Sequence, residues 1–411
     1  MKTLFRNLCL LGCLVAGQQT TAQVIARYTV QAGDIARHNS VVHIPLDQPA
    51  DTEDLLLEEV AGKKRTPVAV TAANGELWWI LEGHTPAGAR RFYELKRANR
   101  KTSTVPVMQV TDANGALVLQ QGLKHILQYN YATVEPPAGS DSVYRRSAFI
   151  HPLWAPNGAV LTNAFPNAGH RHHMGIWNPW THTLFEGKET DFWNVQKKEG
   201  KVRFVKMESV TNGNAWCGFS ARQDHVAFGK NGSEKVAINE TWKVRAYPST
   251  NNGQRRCWDI TSLFHCATEE GITLLQYRYG GGFGLRTTPF FTASTSEVLT
   301  SEGKTRKNAD STRARWVKIT GVTPEGKSGL LIMNAPDNYD SPEPLRVWPE
   351  NMEGGELMLN YSPTKMKEWK LTNGNNYTLT YRVMVYDGDI TPEEAEAAWK
   401  DFAFPPVVRK Q

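Results

Sequence analysis

The chain has 411 residues, 40% of them hydrophobic and 21% charged, with a formal net charge of +6. That length supports two domains or one large β domain with a sizeable core. The mild positive balance, with no basic run and no RNA-binding signature, argues against nucleic acid as a partner.

In chain order, MKTLFRNLCLLGCLVAGQQTTAQ has the layout of a secretory signal. Lys2 and Arg6 lead, an apolar run extends from Leu8 to Ala16, and small residues at Thr20 to Ala22 mark a cleavage site. The run is too short to span a bilayer, and no later stretch approaches the roughly 18 apolar residues a membrane helix requires. The mature chain is expected to begin near Gln23, to carry +4 once Lys2 and Arg6 are gone, and to be periplasmic or secreted. A rival reading makes Leu10 to Cys13 a lipid-attachment box, but Leu11 is bulky for that pattern. Cys217, Cys257 and Cys266 remain after cleavage, so one disulfide at most is possible, and no CxxC pair marks a zinc or redox site.

Residues 23–115 read as an N-terminal β-sandwich domain. VIARYTVQ, SVVHIPL, TPVAVTA, ELWWILEG, RRFYELKR and VPVMQVTD are short β-branched or aromatic runs between turn signals. Trp78 and Trp79 point to opposite faces of one strand, one toward the core and the other toward packing or a sugar. His38, His43 and His84 are scattered and read as structural. The Asn114-Gly115 turn marks the start of a second domain, 116–411. Its segments from Lys201 onward alternate every second residue, as antiparallel strands with one buried face do. The fold class expected is all-β, a large antiparallel sandwich after a small one. One helix closes the chain at 391–404, with Thr391 capping, Pro392 in the first turn, Glu394 completing a capping box, and Ala395, Ala398, Trp399 and Phe402 forming an apolar stripe.

Chemistry concentrates in AFPNAGHRHHMGIWNPWTHTLFEGKETDFW, residues 164 to 193. Four of the eleven histidines (His170, His172, His173, His182) and three of the thirteen tryptophans (Trp177, Trp180, Trp193) fall there, with Glu186, Glu189 and Asp191. Imidazole exchanges protons near neutral pH, carboxylates complement it, and indole faces are flat apolar platforms. The plainer alternative is a Pro/Gly loop whose aromatics plug a core. YRYGGGFGLR at 277–286 is glycine-rich, but no helix follows it, so a phosphate-cradling loop is excluded. Glycines in a strand mark a close backbone approach, which leaves Tyr279 and Arg286 as the candidates there. In NAPDNYDSPEPLRVWPE, Asp337, Arg346 and Trp348 are candidates for the rim of a cleft.

The order of HPLWAPNGAVLTNAFP, HHMGIW, DFW, YGGGFGLR, ARWVKITG, PLRVW and LTYRVMVYDG resembles the bacterial family often labelled methane oxygenase PmoA-like, over roughly 120–405. The resemblance implies a secreted β-rich protein of glycan-using bacteria, of the mutarotase-like supersandwich class, with the paired histidines and the Asp-Phe-Trp motif lining a cleft. His172, His173, Gly175, Trp177, Asp191 and Trp193 match those motifs. Family members commonly place an arginine directly after the paired histidines. Here Met174 stands there and Arg171 precedes the pair, so the cationic partner of the site is open. The label itself cannot describe a membrane monooxygenase subunit, which needs several apolar spans of about 20 residues.

These readings converge on an exported carbohydrate-active enzyme whose partner is an oligo- or polysaccharide. His172, His173, Asp191 and Arg286 are the expected catalytic residues. His170, Trp177, Trp193, Glu186, Tyr279, Asp337, Arg346 and Trp348 are the expected substrate contacts. A hydrolase would pair two carboxylates, from Asp191, Glu186 and Asp337, whereas a lyase would set a His or Tyr base beside an arginine that neutralises a uronate. No cofactor and no metal is expected: His170 and His172, two apart, share a face, but no third ligand is evident. A non-catalytic glycan-binding protein is the alternative.

Overall fold

The alternating segments form antiparallel sheets, and the computed structural model describes residues 23–98, 105–167, 169–178 and 180–411. The expected signal peptide, 1–22, lies outside the described residues. The described residues form an all-β, sandwich-like fold with one α-helix near the C-terminus.

In the N-terminal unit, a five-stranded sheet runs in the order Val407–Lys410, Val24–Gln31, Arg90–Arg97, Leu55–Ala61, Lys64–Val68. It faces a three-stranded sheet of Arg37–Pro45, Glu76–Thr85 and Val70–Ala73. Val30, Leu57, Leu77, Trp79 and Tyr93 fill the space between. Both tryptophans of the pair are buried. Trp79 enters that core, while Trp78 on the opposite face packs against Trp216 and Tyr247 of the larger unit.

The larger unit pairs two eight-stranded sheets. One consists of long strands, among them Cys217–Phe228, Glu234–Ala246, Arg255–Cys266 and Tyr377–Asp387. The other is built of shorter pieces in the order Leu345–Val347, Met358–Tyr361, Phe283–Arg286, Ile176–Trp177, Phe149–Leu153, Lys124–Asn130, Ala116–Gln121, Met108–Ala113. Leu119, Ile126, Tyr129, Phe219, Trp242, Ile260, Leu285 and Ile332 belong to the shared core.

Two features differ from a division of the chain at residue 115. Asn114 and Gly115 have φ of 52° and 86°, the left-handed pair that a tight hairpin needs, but they join Met108–Ala113 to Ala116–Gln121 inside the larger sheet. The C-terminal strand Val407–Lys410 pairs back onto Val24–Gln31. The helix Pro392–Ala403 is capped by Thr391, whose hydroxyl accepts from Glu394 N at 3.1 Å. The reciprocal half of the expected capping box is absent, because the Glu394 carboxylate binds Arg255 at 2.7 Å. Ala395 and Trp399 bury the helix on the outer face of the long-strand sheet, against Leu331 and Met333. Asp401 ties the helix to the N-terminal unit through Arg37 at 3.1 Å and Ser40 at 2.5 Å.

Candidate functional site

The histidine stretch enters the short-strand sheet through Gly175. Its φ is +56°, and a Cβ there would lie 2.0 Å from the Ile150 carbonyl oxygen, so only glycine fits. Ile176 then pairs with Ile150 and Leu285, and Trp177 lies opposite Gly284. A Cβ on Gly284 would come within 2.9 Å of the Trp177 ring, and one on Gly281 within 1.7 Å of Trp180. The glycine-rich segment therefore makes room for two indoles and cradles no phosphate.

Three imidazoles and three indoles meet at this end of the sheet. The His173 ring centroid lies 4.4 Å from that of His172, 4.9 Å from His170, 5.0 Å from both Trp177 and Trp193, and 5.2 Å from Trp348. Its Nδ1 is 3.1 Å from the Met358 sulfur. His172 and His173 are buried, 6% and 2% exposed, whereas His170 is partly open. Burial pushes His172 down to about 3, with the Arg146 guanidinium adding to the effect, and holds His173 well below the ordinary histidine range. Both imidazoles are neutral at physiological pH.

Asp191 is buried beside them with its oxygens already engaged. Oδ1 accepts from Trp193 N at 2.8 Å and Asn194 N at 2.9 Å, and Oδ2 accepts from Asn194 Nδ2 at 2.7 Å and Lys197 Nζ at 2.9 Å. Burial alone would raise its carboxyl. The Asn194 backbone and the Lys197 ammonium outweigh that and keep it below its ordinary value. Asp191 thus shapes the Asp-Phe-Trp turn. Arg286 is 1% exposed and grips Glu356 through Nε at 2.9 Å and Nη2 at 2.5 Å, while its Nη1 donates to the His170 carbonyl at 2.8 Å. It reaches the histidine loop, as expected, but holds the loop's backbone.

Met174, which stands where the family pattern leads one to expect an arginine, is fully buried among the indoles. The cation comes instead from Arg146, in the segment SVYRR that reads as a polar loop. Arg146 is 5% exposed; among the described residues its guanidinium donates one long bond of 3.5 Å to the Trp193 carbonyl, and burial pushes it down to about 10 despite the attraction of Asp191. Beneath the site, Asn178 donates to Glu240 at 2.5 Å. Glu240 also accepts from Gln223 at 2.7 Å, His225 at 2.8 Å, Trp242 at 2.8 Å and Ser262. That buried carboxylate anchors the residue next to Trp177 and has every acceptor position occupied.

On the open side, Tyr279 stacks on Trp348 at 5.4 Å with ring planes 9° apart. The Arg346 guanidinium lies 4.7 Å from the Trp348 ring and 5.0 Å from Tyr279, and Arg278 lies 4.7 Å from Tyr279. Trp177, Trp193, Tyr279, Arg346 and Trp348 are therefore brought together with the histidines. The three indoles expected to contact sugar, however, are 2%, 2% and 1% exposed and pack against one another and the imidazoles. Of the Trp and Tyr contacts expected here, Tyr279 alone is partly exposed. Glu186 and Asp337 are not. Glu186 occupies a hairpin turn with φ of 49° and pairs with Lys235, and Asp337 is exposed on its loop. Glu356, Met358, Arg278, Arg146 and Lys365 were not foreseen from the sequence.

Among the described residues no group of three or more His, Cys, Asp or Glu is placed to hold a metal, and no helix is long and apolar enough to cross a membrane. Cys217, Cys257 and Cys266 are free. A cavity of about 620 Å³ lies elsewhere, between the N-terminal unit, the long-strand sheet and the helix, lined by His38, Tyr247, Cys257, Met333, Met384 and Ala398 among others. Of its charged groups, Arg255 pairs with Glu394 at 2.7 Å within the lining, while Arg382 and Asp401 are taken up by Asp259 at 2.7 Å and Arg37 at 3.1 Å outside it. The histidine cluster, with its neutral imidazoles and under-bonded Arg146, is the better candidate for chemistry.

No curated protein matches the chain. Among solved structures it is similar to an alpha-mannosidase from Enterococcus faecalis, at 9% identity and a TM-score of 0.43, covering 94% of this chain and 46% of that one. A glycosyl hydrolase family 38 protein from the same organism gives 10% identity and 0.42, covering 94% and 47%. A TPR-domain containing protein from Parabacteroides distasonis gives 11% and 0.22, covering 90% and 57%. The chain spans about half the length of the first two, and likenesses this distant carry no inference about activity. The family match supplies no link to a methane oxygenase. Over residues 116–400 the chain matches, and so belongs to, the family of unknown function DUF6807.

Proposed function

We propose that the protein is an exported carbohydrate-active enzyme that cleaves or modifies a glycoside, with proton transfer at the histidine cluster. One observation carries this reading: His170, His172 and His173 pack ring to ring with Trp177, Trp193 and Trp348 next to the Tyr279 platform. The partly exposed Tyr279 ring is the aromatic surface open to a sugar here, with Trp177, Trp193 and Trp348 buried behind it, and each neutral imidazole has one lone pair and one N–H to offer to a hydroxyl.

The carboxylates that enter the cluster do not favour a two-carboxylate hydrolase. Asp191 is filled by four donors, and Glu356 by Arg286 and Asn163. Histidine-centred chemistry would use His172 and His173, with Arg146 facing developing negative charge. A second reading, a glycan-binding protein without turnover, is favoured by the burial of His173. Incubating the mature chain with plant and host glycans and assaying for new reducing ends or unsaturated products tests the proposal. Glycan binding with no product would overturn it in favour of the second reading.

A further inference from the structure

Around Tyr279 and Trp348 the charges are unbalanced. Arg346 Nη1 binds Asp310 Oδ2 at 3.0 Å, and Lys365 Nζ lies 3.4 Å from Oδ1 of the same carboxylate. Asp310 is thus shared by two cations and further used by Val347 N at 3.1 Å. Arg278, next in the chain to Tyr279, is exposed and forms no ion pair among the described residues; its guanidinium lies over the Tyr279 and Tyr277 rings. Lys365 donates to the Arg278 carbonyl at 2.9 Å, which places the third cation beside the other two. Burial lowers the Lys365 ammonium below its ordinary range, and Arg346 and Arg278 add to this, as neighbouring like charges do.

Donors are also in excess. Arg346 Nε and Trp348 Nε1 are buried with no acceptor among the described residues. A buried donor without an acceptor is costly, so such groups mark a place for an acceptor-rich ligand. A neutral sugar supplies hydroxyls that both give and accept. A carboxylate or sulfate only accepts, in the planar or clustered geometry that guanidinium groups match.

We propose that the saccharide bound beside Tyr279 is anionic, its carboxylate or sulfate held by Arg278 at the surface and by Arg346 and Lys365 behind it. This rests on the carbohydrate reading above and narrows it to acidic glycans. The three cations, two of them sharing the single carboxylate of Asp310, take the charge beside the partly exposed Tyr279 ring.

The test is calorimetric titration of the mature chain with matched pairs: uronate oligomers against their carboxyl-reduced forms, and sulfated against desulfated glycosaminoglycan fragments. The acidic member of at least one pair should bind about tenfold or more tighter, and added salt should weaken it. Arg278→Gln, an exposed change, should reduce that preference by about tenfold. Equal affinity within the pairs, or an acidic preference that Arg278→Gln leaves intact, overturns the anionic assignment and spares the carbohydrate reading. If no member of any pair binds, both fall.

Discussion

Arg286 and Glu356 meet fork to fork, at 2.9 and 2.5 Å, and the third arm of the guanidinium holds the His170 carbonyl at 2.8 Å. The pair ties the strand Phe283–Arg286 to the histidine loop and, through Asn163 at 3.0 Å, to the segment leading into it. Arg306 extends the arrangement, donating to the Trp348 and Glu356 carbonyls at 3.1 and 2.9 Å. Two arginines thus fix the backbone on which the rings are mounted.

Arg286→Ala should therefore be costly. It leaves Glu356 without its partner in a site 13% exposed, and removing one member of a buried pair costs about 3–5 kcal/mol. Urea unfolding measures it. A loss below about 1 kcal/mol would show that the fork contributes no more than a surface pair.

His173→Ala is expected to cost about 2–4 kcal/mol, because the ring is enclosed by five others and truncation leaves a cavity. A site histidine is ordinarily expected to face solvent and to be replaceable with little change in stability, and this geometry removes that expectation. Thermal denaturation of the variant checks it, and an unchanged Tm would contradict the packing described.

Stability should depend on pH in two opposing ways. His172, at about 3, and His151, at about 4, are depressed by burial, so below the unfolded value near 6.5 the unfolded chain binds more protons and stability falls as pH drops. Glu343 is raised by burial to about 8, so the folded chain binds the extra proton and stability falls as pH rises from about 4.5 to 8. Glu343→Gln should remove the alkaline decline, a gain on the order of 3 kcal/mol near neutral pH. Equilibrium unfolding across pH 3 to 9 separates the two, and an identical alkaline slope in the variant would count against a neutral Glu343.

The strands and the helix were legible because their signals are local. Cys217–Phe228 and Glu234–Ala246 alternate every second residue, and Thr391-Pro392 announces the helix. The histidine and tryptophan gathering was also legible, through density alone. Arg146 and Glu356 were not, since each reaches the cluster only through sheet pairing across tens of residues or more. Arg146 carried one weak signal, lying just before the apolar run Phe149–Leu153. Leu55–Ala61 escaped notice because its LLLEEV pattern lacks alternation and adjoins acidic residues.

Strand membership makes a prediction about the cut between units. We propose that a fragment starting at 106 folds, because it keeps Met108–Ala113 paired with Ala116–Gln121. A fragment starting at 116 loses that edge strand and should be less stable and more prone to associate. Both expose Trp216, which Trp78 covers at 6.1 Å. Circular dichroism and sizing compare them, and equal behaviour would show that the edge strand adds nothing.

The central claim is proton transfer by the histidine cluster, and turnover by His172→Gln measures it most directly. On a glycan that the wild-type chain converts, the account predicts that kcat/KM falls by about 100-fold or more while sugar binding and the folded signal persist. It also predicts no loss of wild-type activity between pH 7 and 5 from this group, since His172 is already neutral throughout. Unchanged turnover in the folded variant, or a wild-type chain that binds glycans and converts none, would contradict it.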